Sequence, residues 1–360
     1  MGIWKECLLG DIVTFSNGKK RLKQMGNIPV YGGNGILDYT SQSNYENCVI
    51  VGRVGAYCGS VFYEKNKCWV SDNAIAVLPK NNNDIQFIYY LLKTLHLNKR
   101  HIGTGQPLLT QGILNGIELY MPDIKIQNQI SSVLSAYDDL IENNQRQIQL
   151  LEEIAQRLYK EWFVDLHFPN YESTPIVDGV PEGWRIGQLE ELGEFKRGKT
   201  ITKDSVIVGN VPVVAGGLEP AYYHNTANTT APVVTVSGSG ANAGFTRMYH
   251  VNVWASDCSF IDINSTNYPY QIYCYLKANK ADLNRLQKGS AQPHVYARDI
   301  NAMKCLIPDK KIAIHFNTFV SPIFSKIGNL YQQIESLKEA RDRLLPKLIN
   351  GEIDVSEVRI

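Results

Sequence analysis

Short clusters of basic residues stand beside glycine-rich segments at two places in the chain. Lys99 and Arg100 precede Gly-Thr-Gly-Gln-Pro at 103–107. Basic residues likewise precede Gly-Ser-Ala-Gln-Pro at 289–293. Cationic side chains beside glycines suit phosphate contacts, because glycine also lets backbone N–H groups approach the anion. One such cluster is usually a solvated loop, but its recurrence points to nucleic acid as a ligand.

A second basic cluster also recurs, and amide side chains accompany both sets. Lys19-Lys20-Arg21 with Lys23 has a counterpart in the basic residues of 196–203. Asn and Gln side chains pair bidentately with adenine, so exposed amides near such clusters are candidates to read base edges. The residues predicted to contact DNA are Lys19, Lys20, Arg21, Arg53, Lys99, Arg100, Gln106, Lys196, Arg197, Lys199, Asn242, Arg247, Arg285, Lys288, Gln292 and His294.

These clusters belong to an internal repeat. Trp4 recurs as Trp184, and Gly-Ala-x-x-Gly at 55–59 recurs at 240–244. Trp-x-Ser-Asp occurs at 69–72 and again at 254–257. A period near 180 residues indicates two copies of a whole domain rather than a solenoid of short repeats.

Each copy follows the same plan of secondary structure. Short apolar runs rich in β-branched residues are separated by Gly, Pro and Asn, which is typical of strands and turns. A helical segment follows in each copy, near 84–98 and 268–287, and then comes a long helix. The sequence therefore predicts an α+β protein with two repeated globular domains that have β-rich cores.

Each long helix has apolar residues at alternating spacings of four and three, the a/d pattern of a coiled coil. In the first helix the polar Asn144 interrupts the seam, which is typical of a residue that fixes register. Pro322 is expected to kink or restart the second helix. An ordinary amphipathic helix packed on its own domain is the alternative. The predicted seam consists of Ile130, Leu134, Tyr137, Ile141, Asn144, Ile148, Leu151, Leu158, Ile323, Ile327, Leu330, Ile334, Leu337 and Leu344.

The repeat and the seams predict the domain boundaries. We expect globular domains at 1–123 and 184–308, long helices at 124–163 and 309–350, a Pro- and Gly-punctuated linker at 164–183, and a tail at 351–360.

The charge distribution supports the same division. The whole chain has a net charge of +1, which by itself argues against a polybasic nucleic-acid binder. Residues 1–123 and 184–308, however, each hold 12 basic and 9 acidic residues. The helix and linker between them are acidic. Positive charge is therefore concentrated on the two repeated domains.

Motifs of catalysis and metal binding are absent from the sequence. There is no phosphate-binding loop, HExxH site or GxSxG elbow, and no Asn/Asp-Pro-Pro-aromatic tetrapeptide of an amino-methyltransferase. The seven cysteines form no CxxC pair, and the histidines lack metal spacing. We expect a non-catalytic protein without a metal. The odd cysteine count and the lack of a visible signal peptide favour a reducing cytoplasm.

Taken together, these segments resemble the specificity subunit of type I DNA restriction–modification systems over essentially the whole chain. The likeness is carried by residues 4–12 with their echo at 183–193, by Gly-Thr-Gly-Gln-Pro at 103–107, and by Leu-Leu-Pro-Lys-Leu at 344–348. The resemblance implies two target-recognition domains held apart by two long helices that form an antiparallel coiled coil.

The resemblance also implies a function. Each domain would read one half of a bipartite site in double-stranded DNA. The helices would set the gap and dock two methyltransferase subunits, which supply S-adenosylmethionine; motor/nuclease subunits can join. No cofactor is expected in this chain itself.

Two alternatives from other classes remain open on sequence grounds. One is a coiled-coil scaffold whose globular domains bind protein or glycan rather than DNA. The other is an enzyme with an unrecognised site. The salt dependence of DNA binding distinguishes both alternatives from the DNA-binding hypothesis, because phosphate contacts make log affinity fall steeply with log salt.

Overall fold

The structure is a computed structural model that describes residues 4–21, 24–103, 105–289, 292–356 and 358. Lys23 of the first basic cluster and Thr104, Ser290 and Ala291 of the glycine-rich segments lie outside these residues. The chain forms two compact units. Unit 1 comprises Met1–Glu142 and Ile334–Ile360, and unit 2 comprises Asn143–Gln333.

Unit 1 is built from short strands, short helices and segments of both long helices. Its elements are β1 (Lys5–Leu8), α1 (Leu9–Ile12), β2 (Val13–Asn17), β3 (Ile28–Gly32), β4 (Gly35–Thr40), β5 (Tyr45–Gly52), β6 (Val61–Val70), β7 (Ala74–Pro79), α2 (Ile85–Thr94), α3 (Gln111–Asn115), β8 (Glu118–Met121) and the first half of α4 (Ile124–Phe163).

One mixed sheet organises the globular domain of unit 1. Its strand order is β2-β7-β5-β6-β3-β4, with β3 parallel to the end of β6 and the other neighbours antiparallel. The central strand β5 is fully buried over residues 48–51, because both faces of the sheet are covered. Val49 and Val51 face a large core that includes α2, and Ile50 faces a smaller one.

The long helices of unit 1 pack on that larger core. Ile130 and Leu134 of α4 belong to it, together with Leu345 and Leu348 from the end of the second long helix, α8 (Lys310–Ile349). The two segments run antiparallel. Asp138 accepts a hydrogen bond from Arg341, whereas the earlier Gln129 donates to the later Ser356 carbonyl.

Unit 2 repeats this plan with small differences. Its elements are the end of α4, β9 (Ile176–Val177), β10 (Val180–Pro181), β11 (Arg185–Gln188), β12 (Lys196–Arg197), β13 (Val208–Val214), β14 (Tyr222–His224), β15 (Val233–Ser237), β16 (Thr246–Tyr249), β17 (Trp254–Ala255), β18 (Cys258–Asp262), α5 (Pro269–Ala278), α6 (Lys280–Arg285), α7 (Ala297–Asn301), β19 (Lys304–Ile307) and the start of α8.

The strand pairing of unit 2 is equivalent to that of unit 1. The order β12-β18-β15-β16 matches β2-β7-β5-β6, and β14-β13-β17 matches the pairing of β4 and β3 with the end of β6. The long strand β6 has become two strands, β16 and β17, so the sheet is split. The long helices again pair antiparallel, because Trp162 makes an edge-to-face contact with Phe316 while Asn144 contacts Gln333.

The predicted α+β fold class, with two β-rich repeats and two long helices, is confirmed. One detail is wrong: Pro322 does not restart the second helix, since α8 is continuous from Lys310 to Ile349. Six of the seven cysteines are buried thiols, and Cys7 is partly buried.

Candidate nucleic-acid interface

In unit 1, loops from distant parts of the sequence meet at one edge of the sheet. The turn after β5 binds the loop that carries Gly-Thr-Gly-Gln-Pro. Gly55 N donates to Pro107 O at 3.0 Å, and Leu109 N donates to Arg53 O at 2.9 Å. Ile102 and Leu108 close that loop with two backbone hydrogen bonds of 2.9 Å. The predicted contacts Arg53 and Gln106 therefore lie in one loop cluster.

The glycines of this cluster are required by its geometry. Gly103 has a φ of +88°, and a Cβ there would lie 2.8 Å from Gln106 O. Gly59 has a φ of +83°, and its Cβ would lie 2.3 Å from Asn98 N. Any other residue would be strained at both positions. The close approach of Gly59 to Asn98 also places the 3-10 turn that ends at Lys99 against the loop cluster.

The first basic cluster joins the same edge through the turn between β6 and β7. Lys19 N donates to Val70 O at 3.0 Å, and Trp69 Nε1 donates to Lys19 O at 3.2 Å. From the other side, Arg53 N donates to Asn73 O at 2.9 Å. Lys19, Arg53, Lys99 and Gln106 are thus brought together around one sheet edge, and Lys20 continues from Lys19 as an exposed side chain.

Unit 2 forms the equivalent cluster with the same backbone contacts. Gly240 N donates to Pro293 O at 3.0 Å, and Lys288 and His294 close the second loop with bonds of 2.9 and 2.8 Å. Trp254 Nε1 donates to Lys199 O at 2.8 Å, as Trp69 does to Lys19. These contacts explain why the tryptophans, the glycines and the Gln-Pro pairs recur along the chain.

Several further predicted residues of unit 2 lie in this cluster. Arg197 and His294 line one small cavity of about 40 Å³ together with Asp257. Gln292 is exposed in the closed loop, and Asn242 lies in the adjacent turn. Lys196 is exposed on β12, directly before Arg197.

The predicted cations differ in whether a carboxylate already neutralises them. Lys288 Nζ lies 2.8 Å from Asp299, and Arg285 Nη1 lies 2.6 Å from Asp282. Arg21 forms an ion pair with Asp38. Within the described ranges, the remaining predicted cations of the clusters have no ion-pair partner, and they are Lys19, Lys20, Arg53, Lys99, Arg100, Lys196, Arg197 and Lys199. A free cation can meet a phosphate without breaking an internal contact, so the second group is better suited to DNA.

Arg247 lies apart from the loop cluster. Its guanidinium packs over the ring of Tyr249 at 4.9 Å, faces Tyr331 of α8 at 5.9 Å, and donates to Leu218 O at 2.9 Å. Only 25% of the side chain is exposed. These contacts give Arg247 a packing role between β16 and α8, and its contact with DNA stays a prediction. The contact with Tyr331 could not be predicted from the sequence, because Tyr331 lies far from Arg247 along the chain.

Every residue of the predicted seam is buried or partly buried. Asn144 is buried, and its amide donates to Gln333 Oε1 at 3.4 Å. Arg341 interrupts the apolar a/d pattern of the second long helix, and it forms an ion pair with Asp138. Asp138 also accepts a 2.6 Å hydrogen bond from Tyr90 OH. This network fastens α8, α4 and α2 within unit 1.

Two exposed residues of the loop clusters were not predicted from the sequence. Tyr57, whose side chain is 53% exposed, lies in the turn that binds Pro107. Arg298 stacks on Tyr296 at 5.4 Å beside the His294 loop. Alignment of the two repeats could have found Tyr57, because it occupies the position of Asn242.

The structure shows neither a metal cluster nor a membrane-spanning helix in the described ranges. No group of three or more His, Cys, Asp or Glu side chains converges there. No helix of those ranges is long and apolar enough to cross a bilayer.

Two copies of one domain, each with a basic glycine-rich loop cluster and each followed by a long helix, define a two-repeat nucleic-acid-recognition protein. Residues 1–153 and 181–336 each match the family described as the type I restriction modification DNA specificity domain. The chain belongs to this family, because the two matches together cover well over half of its length.

Individual relatives agree with the family match. The chain is 29% identical over 336 residues to the type I restriction enzyme MjaIX specificity subunit of Methanocaldococcus jannaschii, covering 83% of this chain and 76% of that protein. It is 23% identical over 331 residues to the HindI specificity subunit of Haemophilus influenzae, covering 69% and 71%.

A solved structure supports the fold. The type I restriction–modification S subunit from M. genitalium superposes with a TM-score of 0.62, covering 97% of this chain and 96% of that one at 18% identity. The family match confirms the predicted role as a DNA specificity subunit, which is a non-catalytic component of a type I restriction–modification system.

Proposed function

We propose that this chain reads a bipartite site in double-stranded DNA, with one half of the site bound by the loop cluster of each unit. The observation that carries the proposal is the duplication of the cluster. Equivalent backbone contacts hold Lys19, Tyr57 and Gln106 in unit 1 and Lys199, Asn242 and Gln292 in unit 2. A duplicated interface with different side chains suits two different half-sites.

The cationic and the uncharged polar side chains of each cluster would have different roles. Unpaired lysines and arginines would bind phosphates, which fixes position and orientation without reading sequence. Amides and His294 would meet base edges in the major groove, where each base pair presents a distinct pattern of donors and acceptors. Affinity would then depend on salt, and specificity would depend on a few uncharged side chains.

The long helices would set the length of the unread gap. Helix α4 spans roughly 50 Å from Ile130 to Trp162 at about 1.5 Å per residue. At about 3.4 Å per base pair, that corresponds to roughly 15 base pairs. Adding or removing heptads in both helices would change the gap and leave the half-sites unchanged.

The helices would also dock the partner subunits. Leu150 and Ile154 lie one turn apart on α4, and their side chains are 50% and 46% exposed. Such apolar pairs on a polar helix suit a protein partner. In this proposal two methyltransferase subunits bind and carry S-adenosylmethionine, motor/nuclease subunits can join, and the assembly works in the cytoplasm.

Selection from a randomised duplex library tests the proposal. The full-length chain, purified with its methyltransferase partner, should enrich a motif of two short blocks with a fixed unspecified gap. Binding should weaken steeply between low and high salt. A continuous motif, or no enrichment at low salt, would refute it and would favour a scaffold that binds protein or glycan.

A further inference from the structure

The turn after the central strand of each domain has the same backbone in both units but a different side chain at its third position. It reads Gly55-Ala56-Tyr57 in unit 1 and Gly240-Ala241-Asn242 in unit 2. Both form a single 3-10 turn that begins at a glycine with positive φ. The turns therefore differ in chemistry only at the third position.

Matching hydrogen bonds hold the two turns in place. Cys58 N donates to Gly55 O at 3.0 Å, and Ala243 N donates to Gly240 O at 3.0 Å. In each unit the next glycine then donates to the end of the central strand, at 2.8 Å in unit 1 and 2.9 Å in unit 2. The backbone position of residues 57 and 242 is thus set by the domain, independently of the side chain it carries.

Neither side chain is used by the fold in the described part of the chain. The Tyr57 ring is 53% exposed, and no hydrogen bond to its hydroxyl is formed there. The Asn242 amide is partly exposed and is likewise without a hydrogen-bond partner among those residues. An exposed tyrosine and an unpaired amide on a rigid turn are free to meet a ligand.

Some other positions of the clusters are identical in the two units, whereas others differ, since the backbone contacts of Arg53 recur at Gly238. Lys19 corresponds to Lys199, and Gln106 corresponds to Gln292. Identical lysines suit a feature that both half-sites share, namely the phosphates. A position that differs on an identical backbone suits a feature in which the half-sites differ, and that feature is the base sequence.

We propose that Tyr57 and Asn242 are specificity-determining residues, each of which contacts bases in the half-site of its own domain. This inference rests on the proposed function. The Asn242 amide would pair bidentately with an adenine, and the Tyr57 ring would lie against a thymine methyl group while its hydroxyl donates to a base acceptor.

Exchange of the two side chains tests the assignment. Tyr57→Asn and Asn242→Tyr each place in one turn the residue that the other turn already carries, so the backbone can accept both. Each variant, purified with the methyltransferase partner, should select altered bases in one half-site and unchanged bases in the other. Its affinity for the original site should fall between about 5-fold and 150-fold, the effect of losing one good base contact.

Matched controls lie away from the loop clusters. Tyr39→Asn removes a tyrosine with 52% exposure from β4, and Asn267→Tyr changes an exposed asparagine before α5. Both should select the wild-type motif with unchanged affinity. If Asn242→Tyr fails to fold, Asn242→Ala serves the same purpose, with loss of preference in one half-site as the expected result.

The outcomes separate this inference from the function on which it rests. If the wild type selects a bipartite motif and the exchanged variants select the same motif with equal affinity, the assignment is wrong and the proposed function stands. A change in both half-sites would also overturn the assignment. If the wild type selects no bipartite motif, the proposed function itself fails.

Discussion

Removal of two neighbouring cations should weaken binding to only one half of the DNA site. Lys99 and Arg100 are exposed beside the loop cluster of unit 1, and neither has an ion-pair partner within the described ranges. The Arg100 Nε–H donates to Leu95 O at 3.1 Å, which leaves the outer nitrogens of the guanidinium available. In the double variant Lys99→Ala/Arg100→Ala, two phosphate contacts are lost without disturbing a core residue.

The magnitude follows from counterion release. Each phosphate contact contributes about 0.9 to the slope of log affinity against log salt, so the double variant should have a slope shallower by about 1.8. The affinity ratio between wild type and variant should then shrink about 12-fold as salt rises from about 50 to about 200 mM.

The two basic residues that precede the glycine-rich segment of unit 2 provide a comparison. Arg285 and Lys288 already lie 2.6 and 2.8 Å from Asp282 and Asp299. A phosphate must compete with those carboxylates, so these cations gain less on binding. The variant Arg285→Ala/Lys288→Ala should lower the slope by less than about 1.

Fluorescence anisotropy with labelled duplexes would measure both effects. Each variant is titrated against duplexes shortened so that one or the other half-site is absent, at several salt concentrations. The Lys99/Arg100 variant should lose affinity for the duplex that keeps the half-site of unit 1, because only that duplex presents the phosphates that these cations bind. Equal loss on both shortened duplexes, or a slope identical to that of the wild type, would refute the assignment of one half-site to each unit.

Three further predictions concern stability. Gly18→Ala should destabilise the protein by about 3 kcal/mol, because its Cβ would lie 1.9 Å from a backbone oxygen. Gly112→Ala, within helix α3 and without a close contact, should stabilise it by up to about 1 kcal/mol, and melting temperatures compare the two variants. Arg341→Ala should cost about 2 kcal/mol, since it leaves Asp138 partly buried without its cation, and a double-mutant cycle with Asp138→Asn should show coupling above about 0.5 kcal/mol. Burial lowers the pKa of His250 to about 4. The contribution of neutral, buried His250 to the free energy of unfolding should be complete above about pH 6.5 and should fall by roughly 3 kcal/mol as the pH drops to about 4. Unfolding measurements on the His250→Leu variant should not show this loss.

The parts of the fold that depend on local patterns could be predicted from the sequence. The seam positions of α4 and α8 follow from spacing alone, because helical periodicity is a property of neighbouring residues. The recurrence of Trp69 as Trp254 indicates two equivalent domains from the sequence alone. Its cause, a hydrogen bond from each indole to a lysine carbonyl, appears only in three dimensions.

The candidate interface was less predictable, because its members come together over long sequence distances. Basic clusters indicated where DNA could bind, but Lys288 is paired with Asp299 and Arg247 is packed against Tyr331. Charge counting cannot distinguish such paired cations from free ones. Tyr57 carries no charge, so charge counting could not indicate it, whereas its equivalence to Asn242 does.

Mapping of methylated adenines tests the central claim most directly. DNA exposed to the chain together with its methyltransferase partner would be sequenced for the positions of the modified bases. We predict methylated adenines in both halves of a bipartite motif with a constant gap, and a change in only one half when Tyr57 is replaced by Asn. Methylation of a continuous site, or of DNA without sequence preference, would contradict the account.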